Sequence, residues 1–232
     1  MILSMLRLPA PPSPPRSGRP TIDIDVPQPA VRLSDAVVRA SDDRDLLRVD
    51  ELTVRPGDRI ALTGPSGAGK TLLLRLLSGR LAPNLRRSGL REAASPRVAV
   101  VPQRGLDALH PLVPLVSQLR AVTGVPRERV RDVLAAVGLG DPRTTRRRPA
   151  ELSGGQAQRA AIALAVLSDA PLVLADEPTS ALDHDTRDDV LDLFTALIAP
   201  EQALVVSTHD DAVAERLGAT RVRVAAGRVV TA

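Results

Sequence analysis

From about Val31 the chain breaks into short aliphatic and β-branched runs separated by polar turns. VRLSDAVV (31–38), LLRVDELTV (46–54) and RIALTG (59–64), the last after the turn Pro56-Gly57-Asp58, read as strands, because short apolar runs bounded by turn residues suit a pleated, half-buried surface. Beyond Lys70 the period changes: TLLLRLLSG has helical spacing and ends at Gly79, a residue type favoured just past a helix C-terminus. RVAVVPQ (97–103) predicts another buried strand, and residues 104 to 150 predict helices and loops, with VSQLRAV and RERVRDVLAAVGL as amphipathic pieces. A helix over about 155–167, the strand PLVLAD, the helix TRDDVLDLFTALI, the strand ALVVST, a helix at DDAVAERL and a closing pair in TRVRVAAGRVVTA follow. Strands alternating with helices imply an α/β fold with a mostly parallel sheet covered on both faces.

The first twenty residues do not share this texture: after a brief apolar start they run through Pro, Ser and Arg, which neither pair in a ladder nor bury a core. Residues 1–30 are expected to be a disordered Pro-rich tail, and a signal peptide is disfavoured because Ser4 and Arg7 interrupt the apolar stretch. No window reaches the roughly 18 uninterrupted apolar residues of a membrane span. The nearest, residues 160–175, is broken by Ser168, Asp169 and Pro171.

Composition narrows the chemistry. At 232 residues the chain can bury a core without staples, and one domain (31–232) with an inserted subdomain is expected. The absence of Cys excludes disulfides and thiolate metal sites. Phe194 is the only aromatic residue, so Leu, Val, Ile and Ala must fill the core. The net charge of +4 would suit a nucleic-acid partner, but most cations are Arg interleaved with Asp and Glu, as on solvated faces. RTTRRR (143–148) is the one cationic block, and without stacking aromatics it reads as a surface or partner contact, with no direct nucleic acid expected.

GPSGAGKT, comprising Gly64, Pro65, Ser66, Gly67, Ala68, Gly69, Lys70 and Thr71, fits G-x-x-x-x-G-K-[ST] and lies between a predicted strand and a predicted helix. Its glycines let backbone N–H groups turn towards phosphate oxygens at a helix N-terminus, Lys70 reaches the β and γ phosphates, and Thr71 offers a hydroxyl to Mg²⁺. The alternative is a glycine-rich turn without a ligand. Against it stands one internal fact: Lys70 is the only lysine in a chain that otherwise uses Arg. A compact ammonium fits inside a loop of amides where a planar fork does not.

Further along stand VVPQ ending at Gln103, ELSGGQ (151–156), LVLADEP (172–178), SALD (180–183) and STHD with His209. With the phosphate loop these segments resemble the ATP-binding cassette family, in order, over nearly all of Val31 to Val230. From the residues alone, Ser153, Gly154 and Gly155 with Gln156 form either an N-capped helix start or an anion nest. Asp176 and Glu177 close a buried strand at its C-terminal end, where ligands gather in open α/β sheets. The resemblance implies a phosphate-loop core with an N-terminal antiparallel β part and an inserted helical subdomain at 104–158. It further implies ATP and Mg²⁺ as cofactors, Asp176 and Thr71 near the metal, and Glu177 orienting or deprotonating the attacking water. Gln103 would touch the metal or the water, and His209 the γ-phosphate. Ser153 to Gln156, together with Asp183, would serve a nucleotide held on a second subunit, a homodimer or a paralogue.

Two features depart from the family pattern. No aromatic residue precedes the phosphate loop to stack on adenine, which leaves Arg39 or a neighbour to stack by its guanidinium plane. Ala157 and Leu164 stand where many relatives have Arg. His110 and His184 form no metal-ligand spacing and are expected to be solvated or satisfied. The function implied is an ATPase that energises transport through separate membrane permease subunits, cytoplasmic and peripheral on the inner face of the membrane. QRGLDALHP looks most like the oligopeptide and nickel importer branch. The alternative is a soluble cassette ATPase acting on a protein or nucleic-acid complex.

Overall fold

The computed structural model describes residues 28–180 and 184–230. The expected tail and Asp183 therefore lie outside the described residues, except for Gln28 to Ala30, where Ala30 is buried and its carbonyl accepts from the Ala94 N–H at 3.3 Å.

Among the described residues nine strands form one sheet: β1 (Val31–Arg39), β2 (Asp45–Val54), β3 (Arg59–Thr63), β4 (Arg86–Ala93), β5 (Val98–Val101), β6 (Leu172–Asp176), β7 (Ala203–Ser207), β8 (Thr220–Ala225) and β9 (Arg228–Val230), in the order β4-β1-β2-β9-β8-β3-β7-β6-β5. β8, β3, β7, β6 and β5 run parallel, while β1 pairs antiparallel with β2 and β4. This is the mostly parallel core with an N-terminal antiparallel part expected from the sequence. The helices are α1 (Lys70–Ser78), α2 (Leu115–Thr123), α3 (Arg127–Ala136), α4 (Pro142–Arg146), α5 (Gly154–Leu167), α6 (His184–Leu197) and α7 (Asp211–Arg216).

β4 has no counterpart in the sequence reading. RRSGLREA lacks an apolar face and none of its residues is buried; it is a strand because it pairs along the edge of β1. Arg91 then anchors it, its Nη2 donating to the Leu77 carbonyl at 2.6 Å and its Nε to the Leu76 carbonyl at 3.0 Å. Those carbonyls belong to the last turn of α1, where a cation offsets the dipole and the orphan acceptors.

The core lies on both faces of the sheet. One apolar cluster joins β1, β2, β3 and α1, including fully buried Leu33, Leu62, Leu73 and Leu76, each contributing about 1.5–3 kcal/mol by leaving water. A second sets Val173 and Val206 against Ala161, Ile162 and Phe194 of α5 and α6. A third closes among α2, α3 and α5 through Leu115, Leu119, Leu134 and Ala160. Helix α5 thus belongs to two clusters, which its alanines allow by letting neighbours approach from opposite sides.

A close backbone approach lies at a 3₁₀ turn, Gly105–Ala108, just after Gln103. A Cβ on Gly105 would lie 2.3 Å from the Ala157 carbonyl oxygen, and Ala157 itself is only 1% exposed. The alanine at 157 is therefore where the Gln103 segment meets α5, and Gln158 adds a bond from Nε2 to the Pro102 carbonyl at 3.3 Å. Gly105→Ala should cost about 1–3 kcal/mol through overpacking against backbone. Thermal unfolding should show this as a drop of several degrees, whereas Gly124→Ala, with open space around its Cβ position, should cost only its backbone strain.

Candidate functional site

The parallel strands end their C-termini together. β3 runs into the phosphate loop, β6 into Asp176 and Glu177, and β7 into Ser207 and then His209, with Asp176 in register with Ser207. The loop is fixed from behind. Gly64 has φ +142°, and a Cβ there would lie 2.1 Å from the Val224 carbonyl oxygen, so only glycine lets the loop rest on β8. The Ala68 carbonyl accepts from Gly227 N–H at 3.0 Å, and Ala68 N–H donates to the Pro65 carbonyl at 3.2 Å.

Lys70 folds back over this loop. Its Nζ donates to the carbonyls of Gly64 at 2.9 Å and Pro65 at 3.2 Å and stands 3.3 Å from Glu177 Oε1, with 5% of its side chain exposed. Asp176 Oδ1 accepts from Thr71 Oγ1 at 3.1 Å and from Ser207 Oγ at 2.6 Å. Glu177 has φ +42°, a conformation that costs an L-residue of order 1 kcal/mol or more and persists where neighbours over-determine it. Here they do: its N–H is shared between the carbonyl and hydroxyl oxygens of fully buried Ser207 at 3.1 and 2.9 Å, and its carbonyl accepts from Ser180 N–H at 3.1 Å.

A cavity of about 460 Å³ opens over these groups, lined by Ser66, Gly67, Gly69, Lys70, Thr71, Gln103, Asp176 and Glu177. Gln103 enters it while donating from Nε2 to Ser180 Oγ at 3.0 Å. His209 faces Glu177 from the other side, its Nδ1 3.5 Å from Oε2, within a second cavity of about 150 Å³. The structure therefore assembles the phosphate loop, Gln103, Asp176, Glu177 and His209 around one carboxylate. It keeps Ser153 to Gln156 out of that cavity: Ser153 caps α5 in a reciprocal box, Gln156 N–H to Ser153 Oγ at 3.2 Å and Ser153 N–H to Gln156 Oε1 at 3.1 Å.

One expectation is corrected. Arg39 does not reach the nucleotide-sized cavity: its Nε is held by Asp45 Oδ1 at 2.7 Å, and hydrogen bonds from Arg48 and Arg39 keep that carboxyl below the usual range. Leu46, Leu72 and Arg75 also line the cavity, which offers a base aliphatic side chains and one guanidinium rather than an aromatic ring. Ser207, which orients both Asp176 and Glu177, was missed by sequence reasoning; its signal was a polar residue closing the apolar run of β7, one strand away from the acidic pair.

Residues 47–180 match the family model described as ABC transporter. The chain is 36% identical over 198 residues to a macrolide export ATP-binding/permease protein, MacB 1/2, of Paracoccus denitrificans, covering 78% of this chain but 29% of that protein. It is 37% identical over 195 residues to the lipoprotein-releasing system ATP-binding protein LolD of Legionella pneumophila, covering 75% of this chain and 84% of that protein. Among solved structures, the ATP-binding cassette MJ0796, dimeric and bound to ADP and Pi in a post-hydrolysis state, superposes with a TM-score of 0.71 at 25% identity, over 87% of this chain and 97% of that one. With a family model matched across more than half of its length, this chain belongs to the ABC transporter family.

Proposed function

We propose that the chain binds and hydrolyses ATP as the nucleotide-binding subunit of a membrane transporter, two such subunits closing on two nucleotides. The observation that carries this is the division of the site: Lys70, Thr71, Asp176 and Glu177 share one cavity, while the capped nest at Ser153 to Gln156 lies outside it in the same chain. A second subunit must then bring its nest to the γ-phosphate. Amides of the loop and Lys70 hold the β and γ phosphates, Glu177 takes the proton of the attacking water, and Gln103 and His209 flank that water and the γ-phosphate.

The donor set suits Mg²⁺. Thr71 Oγ1 and Asp176 Oδ1 are hard oxygens already 3.1 Å apart, and so few protein ligands match an ion that retains waters and takes phosphate oxygens. Bound there with nucleotide, Mg²⁺ would neutralise charge on the β and γ oxygens.

Residues 104–158 form the helical part that meets the permease. No helix among the described residues is long and apolar enough to cross a membrane; in this reading permease subunits supply the spans and hold this subunit at the inner membrane face. For the cargo, Leu109-His110-Pro111 supports an oligopeptide or nickel importer. A second reading, extraction or export, is favoured by the relatives named for macrolide export and lipoprotein release.

A mixing experiment tests the composite site. Lys70→Ala and Gly155→Asp chains should each be inactive alone, and an equimolar mixture should recover turnover, because the mixed dimer contains one intact pair of Lys70 and Gly155. If the mixture stays as silent as its components, the two halves do not act across subunits. Co-purification with neighbouring permeases, and stimulation of ATPase by peptide, nickel or lipoprotein, then separates the cargo readings.

A further inference from the structure

His209 is 62% exposed, and among the described residues the one polar partner of its ring is Glu177, whose Oε2 stands 3.5 Å from Nδ1. A side chain so loosely held takes its place from its backbone. That backbone is a two-residue link, Thr208 and His209, between β7 and the Asp210 cap of α7. Thr208 N–H donates to the Leu62 carbonyl at 3.0 Å, and Asp210 N–H donates to Thr208 Oγ1 at 3.0 Å.

Asp210 is the cross-link. One carboxylate oxygen, Oδ1, accepts from Ala212 N–H at 2.9 Å and caps α7; the other, Oδ2, accepts from Arg187 Nη1 at 2.5 Å. Arg187 stands on the first turn of α6 and is 24% exposed; its Nε, buried without a hydrogen-bond partner among the described residues, stands 3.6 Å from Asp188 Oδ1. Both residues line the 150 Å³ cavity together with Glu177 and His209. A charge-assisted bond from Nη1 to a half-buried carboxylate ties the β7–α7 link to α6.

We infer that Arg187 and Asp210 are positioning residues for His209, clamping the β7–α7 link to α6 so that the imidazole faces Glu177 when a γ-phosphate is present. This rests on the nucleotide-hydrolysing reading of the site. Neither residue touches the phosphate-loop cavity, so the clamp acts on turnover rather than on nucleotide capture. A lost clamp displaces the ring by a fraction of its reach, and misplacements near 1 Å cost up to about 10²-fold in rate.

The test combines kinetics with the imidazole resonances of the three histidines. Arg187→Ala should lower kcat roughly tenfold with KM for ATP within about twofold, since a group acting only at turnover leaves ground-state binding in place. Asp210→Asn, which keeps a side-chain cap for α7, should reproduce the loss. The double variant should be no slower than either single one, the non-additivity of two residues acting as a unit. Arg187→Lys should recover more than half of the lost rate. In nucleotide-free protein, the His209 Hε1 resonance should move in Arg187→Ala and return towards its wild-type position in Arg187→Lys, while that of His110 stays still. An unmoved His209 resonance overturns the inference even if the wild type hydrolyses ATP; so does a kcat loss matched by a proportional fall in melting temperature and rise in KM. If the wild type hydrolyses no ATP, the functional reading fails by itself, and the resonances still decide whether Arg187 places His209.

Discussion

Glu177→Gln is expected to retain ATP binding and lose hydrolysis by about 10²-fold or more, the scale of a removed general base. Gln is nearly the same size and keeps an oxygen able to accept from Lys70, now 3.3 Å from the carboxylate. The φ of +42° at this position is set by Ser207 and Ser180 through main-chain bonds, which the substitution leaves alone. What disappears is a basic oxygen facing the space between Lys70 and His209. ATP should therefore bind, draw two chains together and remain uncleaved, so that a stable ATP-bound dimer elutes from a sizing column where the wild type with ATP does not persist. Turnover equal to wild type would refute the assigned role. Failure to bind ATP would instead mean that Glu177 matters to the empty loop, holding Lys70 in place until phosphate arrives.

Much of the architecture supporting that carboxylate was legible in the order of residues. β3, β6 and β7 are apolar runs whose polar punctuation falls at their C-terminal ends, and α1 and α7 carry a C-terminal glycine and an Asp cap at the expected places. The strand β4 was invisible because pairing along β1, rather than its own pattern, makes it a strand. Leu46 was invisible for a different reason: it looks like an ordinary member of its strand, and only the fold turns it to a wall of the phosphate cavity. Ser207 shows in the sequence as the polar end of β7, but its hold on the Glu177 N–H emerges only from the fold. The capping box at Ser153 shows the converse: its local hydrogen bonds are those of any helix start, and its meaning depends on a surface in another subunit. Arg39 illustrates the limit of reasoning by residue type, since a free guanidinium in the sequence is a committed one beside Asp45.

Lys70→Arg is expected to abolish ATP binding or turnover, by about 10²-fold or more in kcat/KM, although formal charge is conserved. The ammonium is enclosed: carbonyls of Gly64 and Pro65 at 2.9 and 3.2 Å and the Glu177 carboxylate at 3.3 Å already surround it. A guanidinium spreads five donors over a plane, and to point two of them at the phosphates it would have to widen the loop. The loop cannot widen backwards, because Gly64 rests on the Val224 carbonyl with no room for a methyl group, and Ala68 is tied to Gly227. It can widen only into the volume that the phosphates need. Calorimetric titration with ATP, alongside steady-state turnover, checks this, and a melting temperature within a few degrees of wild type would show that the fold itself accepts Arg. The substitution also tests why a chain with 31 basic residues keeps a single lysine: if Lys70→Arg turns over ATP at the wild-type rate, a compact charge is not what this position selects, and the enclosure of Nζ has no functional content.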